Sequence, residues 1–179
     1  MRMEDLPAAV DSPFRETLER LLQSYSHYYN IKRESSVPEF CAEAEFKLFD
    51  EQYFLVRSAR LSESNSRELL FFAKVDVLDA KKAAELAVTA WEEGMRRVEP
   101  GPNHRCTDIS LVIIAGETTP EVAAAVKKIK KTQSYKFGFQ GYSHLRLAVY
   151  DLSKSTVMRN RMGDTLEKVI SNIFTISRN

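Results

Sequence analysis

Hydrophobic residues recur along this chain at two periods, and the change of period divides it into elements. Phe14, Leu18, Leu21, Leu22, Tyr25 and Tyr29 fall at helical spacing and give one apolar stripe that fades by Asn30. Ser12-Pro13 supplies the start signal, a serine N-cap with proline in the first turn. Residues 1–11 read as a flexible arm ahead of a single domain over 12–179, and Lys32 to Pro38 reads as a polar connector. The period then drops to two: Phe40, Ala42, Ala44, Phe46 and Leu48 alternate with Cys41, Glu43, Glu45 and Lys47, which predicts a strand with one buried face. Asp50-Glu51-Gln52 is the predicted turn and Tyr53 to Leu61 the second strand. Its register stays open, because a three-residue loop sets Glu45 opposite Arg57 and a two-residue loop does not. After a polar loop, Ser62 to Arg67, the third strand runs from Glu68 to Leu78. It is apolar on both faces at its start, which predicts a central position.

Beyond Leu78 the pattern alternates between helix and strand. Asp79 is placed to cap a helix whose buried stripe is Ala83, Leu86, Ala87, Ala90 and Trp91, ended by Glu99-Pro100-Gly101-Pro102. Ile109 to Ala115 is the most strongly apolar run in the chain. It reads as a strand covered on both faces and parallel to at least one neighbour. Thr119-Pro120-Glu121 opens another helix with Val122, Val126 and Ile129 inward and Lys127, Lys128, Lys130 and Lys131 in its last turn. Leu145 to Leu152 alternates as a strand, Thr156 to Asn160 is placed to hairpin back onto it, and Asp164 is placed to cap a final helix. The predicted class is α+β: an N-terminal helix, then an antiparallel three-stranded meander continued by helix-strand-helix-strand into one mixed sheet, an αβββαβαβ-like order.

Composition adds location and charge. With 179 residues, 44% hydrophobic and 28% charged, the chain is long enough for a sizeable core, and no apolar run approaches the ~20 residues of a membrane helix. The N-terminal MRMEDLPAAVDSP has no stretch of signal-peptide type, so the expectation is cytoplasmic, with no membrane partner. Cys41 and Cys106 have no motif spacing and read as packing residues in a reducing compartment. The net charge of +1 conceals an asymmetry. Lys127 to Arg161 holds nine Lys/Arg against one acid, Asp151, leaving 17 basic and 24 acidic residues elsewhere. Such a split marks either an anion-binding face or complementary surfaces within one protein or an oligomer.

Motif chemistry is sparse. No CxxC, HExxH or H-x-E occurs, and the nucleotide-binding glycine loops and GxSxG are absent, so no metal and no cofactor is expected. The element order is also that of many nucleases, in which a carboxylate and an acid-x-lysine pair on adjacent strands hold a divalent cation. Here the third strand reads Phe72-Ala73-Lys74, with a hydrophobe in the acid slot. Glu45-Phe46-Lys47 matches one hairpin too early, and Glu43, Glu45 and Lys47 read as well as a solvated or salt-bridged strand face. The most unusual stretch is 135–146, where Tyr135, Phe137, Phe139 and Tyr142 interleave with Lys136, His144 and Arg146 around Gly138 and Gly141. Aromatic faces beside cations stack bases and bind phosphate; they equally plug a sheet edge or form an oligomer contact. His104, in the loop before the central strand, is the remaining candidate.

Three segments carry a resemblance: Glu51 to Leu61 (EQYFLVRSARL), Ala90 to Pro100 (AWEEGMRRVEP) with Asn103-His104 after it, and Phe137 to Leu152 (FGFQGYSHLRLAVYDL). They resemble a family of small, uncharacterised bacterial proteins of anaerobic Gram-positive bacteria, a domain of unknown function, over most of residues 25–165. The resemblance brings no catalytic or binding residues with it, and Tyr142 stands where a Trp is expected. The functional expectation is therefore a non-enzymatic cytosolic binding module, self-associating as a homo-oligomer. The basic segment leaves an anionic ligand or nucleic acid open as a partner. The alternative is a nuclease-like or nucleic-acid-binding protein whose metal site is degenerate or displaced.

Overall fold

The apolar run Ile109–Ala115 lies at the centre of one mixed sheet, as its composition dictates. The computed structural model describes residues 12–47 and 65–175. In chain order these form α1 (Ser12–Tyr25), β1 (Asn30–Lys32), β2 (Ala42–Lys47), β3 (Asn65–Leu78), α2 (Ala80–Arg96), β4 (His104–Thr118), α3 (Val122–Lys128), β5 (Thr132–Ser134), a short 3-10 turn (Lys136–Gly138), β6 (Tyr142–Asp151), β7 (Thr156–Arg159) and α4 (Asp164–Phe174). The strand order is β1-β2-β3-β4-β6-β5, with β7 also paired to β6. β4 runs parallel to both β3 and β6, and every residue from Ile109 to Ala115 is buried. The remaining pairings are antiparallel, so the expected mixed sheet is present.

Helices cover both faces. On one, α2 and α3 bring Ala83, Leu86, Ala90, Val122 and Val126 against Phe71, Ile109, Leu111 and Leu147. On the other, α1 and α4 bring Leu21, Leu22, Leu166 and Ile170 against Phe72, Val112, Ile114 and Ala148. Each such large side chain removed from water contributes about 1.5–3 kcal/mol. Alternation along β4 sends Ile109, Leu111 and Ile113 to the α2 face and Val112 and Ile114 to the α1 face. Gly94 lets α2 lie close on β4, since a Cβ there would stand 2.6 Å from the Ile109 side chain. Asp79 caps α2 as its position implies, accepting from the Lys82 N–H at 2.7 Å.

Several boundaries differ from the sequence reading, each for a local reason. Asn30–Lys32, where the helical stripe fades and the predicted connector begins at Lys32, is a strand, held by backbone pairing to Glu43–Glu45. Asn65–Arg67 belongs to β3 rather than to the preceding loop, and His104 and Arg105 belong to β4. α3 ends at Lys128, so Lys130 and Lys131 lie beyond it, and Thr132–Ser134 pairs with β6. Gly163, not Asp164, is the N-cap of α4; Asp164 and Glu167 sit in the first turn, where acids complement the helix dipole. The predicted strand Tyr53–Leu61, its turn and the arm 1–11 lie outside the described residues. Among those residues no helix is long and apolar enough to cross a membrane.

Candidate functional site

The residues singled out in the sequence divide into three groups around the start of β6. The first group is exposed. β5 and β6 form a hairpin whose tip carries Phe137, fully exposed, and Phe139, 85% exposed, with Lys136 beside them and Tyr142 43% exposed at the strand start. Lys136 and Phe137 both take left-handed backbone conformations, with φ of 45° and 56°. For residues with a Cβ this costs on the order of 1–2 kcal/mol each, and for a bulky side chain it is an outlier.

A second group braces that tip. His104 Nδ1 lies 2.8 Å from the Gln140 carbonyl and Nε2 lies 2.9 Å from Thr107 Oγ1. A carbonyl only accepts, so Nδ1 carries the proton and both ring nitrogens are engaged. The Tyr135 ring meets His104 edge-on at 5.6 Å, and its hydroxyl reaches Ser143 Oγ at 2.9 Å. Gly141, at φ 80°, presses against the start of β4: a Cβ there would stand 2.4 Å from the Arg105 carbonyl oxygen. His104 and Tyr135 therefore hold the hairpin in place.

The third group turns into the α1 face of the sheet. His144 stacks beneath Tyr142, with ring centroids 5.6 Å apart and 15° between planes. Strand register sets Glu68, Asp108 and His144 side by side across β3, β4 and β6, and Ser110 beside Arg146. Arg146 contacts Asp108 Oδ2 at 2.5 Å and Glu68 at 3.7 Å. Glu68 accepts from Tyr29 at 2.6 Å and from Ser110 at 2.5 Å. Burial, reinforced by the Glu68 carboxylate, pushes the Tyr29 phenol well above its ordinary range and keeps it a neutral donor. Asp108 is 8% exposed, and its Oδ1 is 2.9 Å from His144 Nε2 yet has no hydrogen-bond partner of acceptable geometry. Arg146, a binding candidate in the sequence, is thus held by two carboxylates. In the sequence Tyr29 reads only as part of the apolar stripe and Glu68 only as the start of a strand, and the one signal for Glu68, Asp108 and Ser110 as a site is an acid just ahead of each strongly apolar run.

Other candidates are committed as well. Glu43 is buried on the α2 face, where Arg97 holds it at 2.7 and 3.2 Å and Ser35 donates at 2.6 Å. Burial alone would raise its pKa, but these hydrogen bonds outweigh it and hold the carboxyl below its usual range. Glu45 pairs with Arg67 at 2.5 Å. Burial raises both thiols, Cys41 and Cys106, which makes each a poor nucleophile. Among the described residues no three His, Cys, Asp or Glu side chains come together as a metal site. Of the nine cations of the basic segment, Arg146, Lys154 and Arg159 are in ion pairs with acids. No curated protein and no solved structure matches the chain. A family profile does match it, over residues 14–172, and the chain belongs to that family, the domain of unknown function DUF8052.

Proposed function

We propose that the protein works by binding a macromolecule rather than by catalysis, through the tip of the β5–β6 hairpin. The observation that carries this reading is the pair Phe137 and Phe139, exposed to solvent on a loop that is strained yet firmly braced. Folding gains little from an aromatic side chain left in water, and a strained backbone that persists is over-determined by its surroundings. Exposed aromatic area held in one conformation loses little entropy on association, which is what a recognition element requires. The same surface accommodates self-association into a homo-oligomer, since β5 ends the strand order with all three residues exposed. We take the setting to be the reducing cytoplasm, which suits two unpaired cysteines.

Replacing both phenylalanines by serine tests this. The double variant is expected to melt within about 3 °C of the parent, because exposed substitutions cost ~0.5 kcal/mol or less. A photo-crosslinking residue at position 139 should yield a discrete adduct in expressing cells that Phe137→Ser suppresses. The same residue at Val88, exposed on α2, should yield none. A fall of roughly 10 °C in the double variant, equivalent to several kcal/mol at this size, would show that the aromatics are packing residues. Equal adducts from positions 88 and 139 would equally remove the reading.

A further inference from the structure

The class of partner can be narrowed, resting on the reading that the hairpin is the recognition surface. Between Glu121 and Asp151 the chain has no acidic residue. Within that window Lys127, Lys128, Lys130 and Lys136 are exposed and Lys131 is half-buried. None of the five has an ion-pair partner among the described residues. The nine cations of the basic segment thus include three in ion pairs with acids, Arg146, Lys154 and Arg159, and a run of five lysines that is not. Lys127 and Lys128 complement the C-terminal dipole of α3, but Lys130, Lys131 and Lys136 lie outside that helix.

These lysines follow one continuous piece of backbone. Val122 and Val126 anchor α3 in the core, and the Lys131 carbonyl accepts from the Leu145 N–H at 2.9 Å, which fixes the entry into β5. The hairpin then carries the chain out to Phe137 and Phe139. Phe137 lies six positions after Lys131, at most ~20 Å of extended chain. Arg105, exposed, sits at the base of the tip, where its carbonyl meets Gly141.

Lysines alone attract any polyanion. Exposed flat rings add a requirement, because they gain by stacking on another flat apolar face. A duplex hides its base faces, whereas a single strand offers phosphates and open bases together. We propose that the β5–β6 hairpin binds single-stranded nucleic acid, with the lysines of 127–136 on phosphates and Phe137, Phe139 and Tyr142 stacked on bases. A second copy of the chain, paired through the open β5 edge, is the competing occupant, and charge favours the nucleic acid: a like surface meeting itself would bring two acid-free lysine runs together.

Fluorescence anisotropy with labelled single strands of about 20 nucleotides, longer than the ~4–16 that one small module occupies, is the test. It should be run at several salt concentrations, beside a duplex of the same length and with heparin, a polyanion without bases. Five phosphate contacts predict that log K falls against log salt with a slope of about −3.5, at ~0.7 per contact on single strands. Lys130→Ala with Lys131→Ala should flatten the slope by about 1.4. Phe137→Ala with Phe139→Ala should weaken single-strand binding about tenfold or more, leave the slope unchanged and leave heparin binding unchanged. Duplex or heparin binding as tight as the single strand, or indifference to the phenylalanine pair, would overturn the proposal and leave only a polycation. Sedimentation velocity separates the two levels. If the phenylalanine pair abolishes self-association but not nucleic-acid binding, the hairpin is a recognition surface for a second copy and this partner is wrong. If the pair changes neither and the melting temperature drops, both readings fail.

Discussion

Two buried aspartates stand at opposite ends of the parallel strands, and they are treated differently. Asp151, at the C-terminal end of β6, is fully buried, and both its oxygens are satisfied. Oδ2 accepts from the Thr118 N–H at 3.0 Å and hydroxyl at 2.6 Å, and Oδ1 from Ser153 Oγ at 2.6 Å and the Lys154 N–H at 3.0 Å. Lys154 Nζ adds an ion pair at 3.3 Å. That network ties β6 to β4 and shapes the turn into β7. Asp108, at the other end, shares one cation with Glu68 and keeps an oxygen without a hydrogen bond. In open α/β sheets the ligand crevice lies beyond the C-terminal ends of the strands. Here the carboxylate at that end is closed off by protein donors, and the exposed, strained hairpin and the incompletely paired Asp108 lie at the N-terminal end.

The largest effect should come from breaking the closed end. Asp151→Ala leaves the two buried donors of Thr118, and those of Ser153 and Lys154 in the turn, without their acceptor, and is expected to cost about 3–4 kcal/mol in urea denaturation, or roughly 10 °C in melting temperature. Its titration gives a second test. Burial alone would raise the Asp151 pKa, but the hydrogen bonds from Ser153 and Thr118, then those of Lys154, outweigh it and hold the carboxyl at about 2. A folded pKa below the unfolded 3.8 means stability that is present above pH 4 and lost as pH falls toward 2. Roughly 2 kcal/mol of the loss between pH 5 and pH 2 should therefore be missing in Asp151→Asn. An unchanged pH profile in that variant would mean the two aspartates do not differ in the way described.

A smaller loss is expected at the open end. Glu68→Ala removes the acceptor of Tyr29 and Ser110 and one contact of Arg146, and should cost about 2 kcal/mol. Asp108→Asn keeps shape and an acceptor while Arg146 retains Glu68, so it should cost less than about 1 kcal/mol. The comparison breaks if Asp108→Asn destabilises as much as Asp151→Ala, since Asp108 would then be equally structural.

What the sequence made legible follows the same division. β4 was readable because seven consecutive residues, Ile109 to Ala115, are buried on both faces and had to be apolar, apart from Ser110. The α2 cap was readable because Asp79 acts on its own neighbours. β1 and β5 were not, because Asn30–Lys32 and Thr132–Ser134 are edge strands made by backbone pairing, and their mostly exposed side chains carry no period. The row Glu68–Asp108–His144 was hidden for another reason. Its members lie about forty residues apart, and only the register of two parallel pairings brings them level. The hairpin aromatics were visible as an oddity of composition, but their exposure and their left-handed backbone are properties of the fold.

The smallest expected effect concerns that backbone, and it has a built-in control. Phe137 and Phe139 are both exposed, yet Phe137 sits at φ 56° and Phe139 at φ −65°. Glycine at 137 removes the clash of a Cβ in the left-handed region, a gain of ~1 kcal/mol that the greater freedom of the unfolded chain partly offsets. Phe137→Gly should therefore raise the melting temperature by about 1–2 °C. Glycine at 139 relieves nothing and should lower it by a similar amount. The closed end offers a third position: Ser155, at φ 51°, is a small residue in the β6–β7 turn. Ser155→Gly should likewise be neutral or slightly stabilising, since a hairpin turn calls for positive φ whatever its function. If Phe137→Gly and Phe139→Gly shift stability equally, the tip stores no strain. If Phe137→Gly stabilises and also weakens association, the strain is retained for what the tip binds, and the difference between the two ends is one of function.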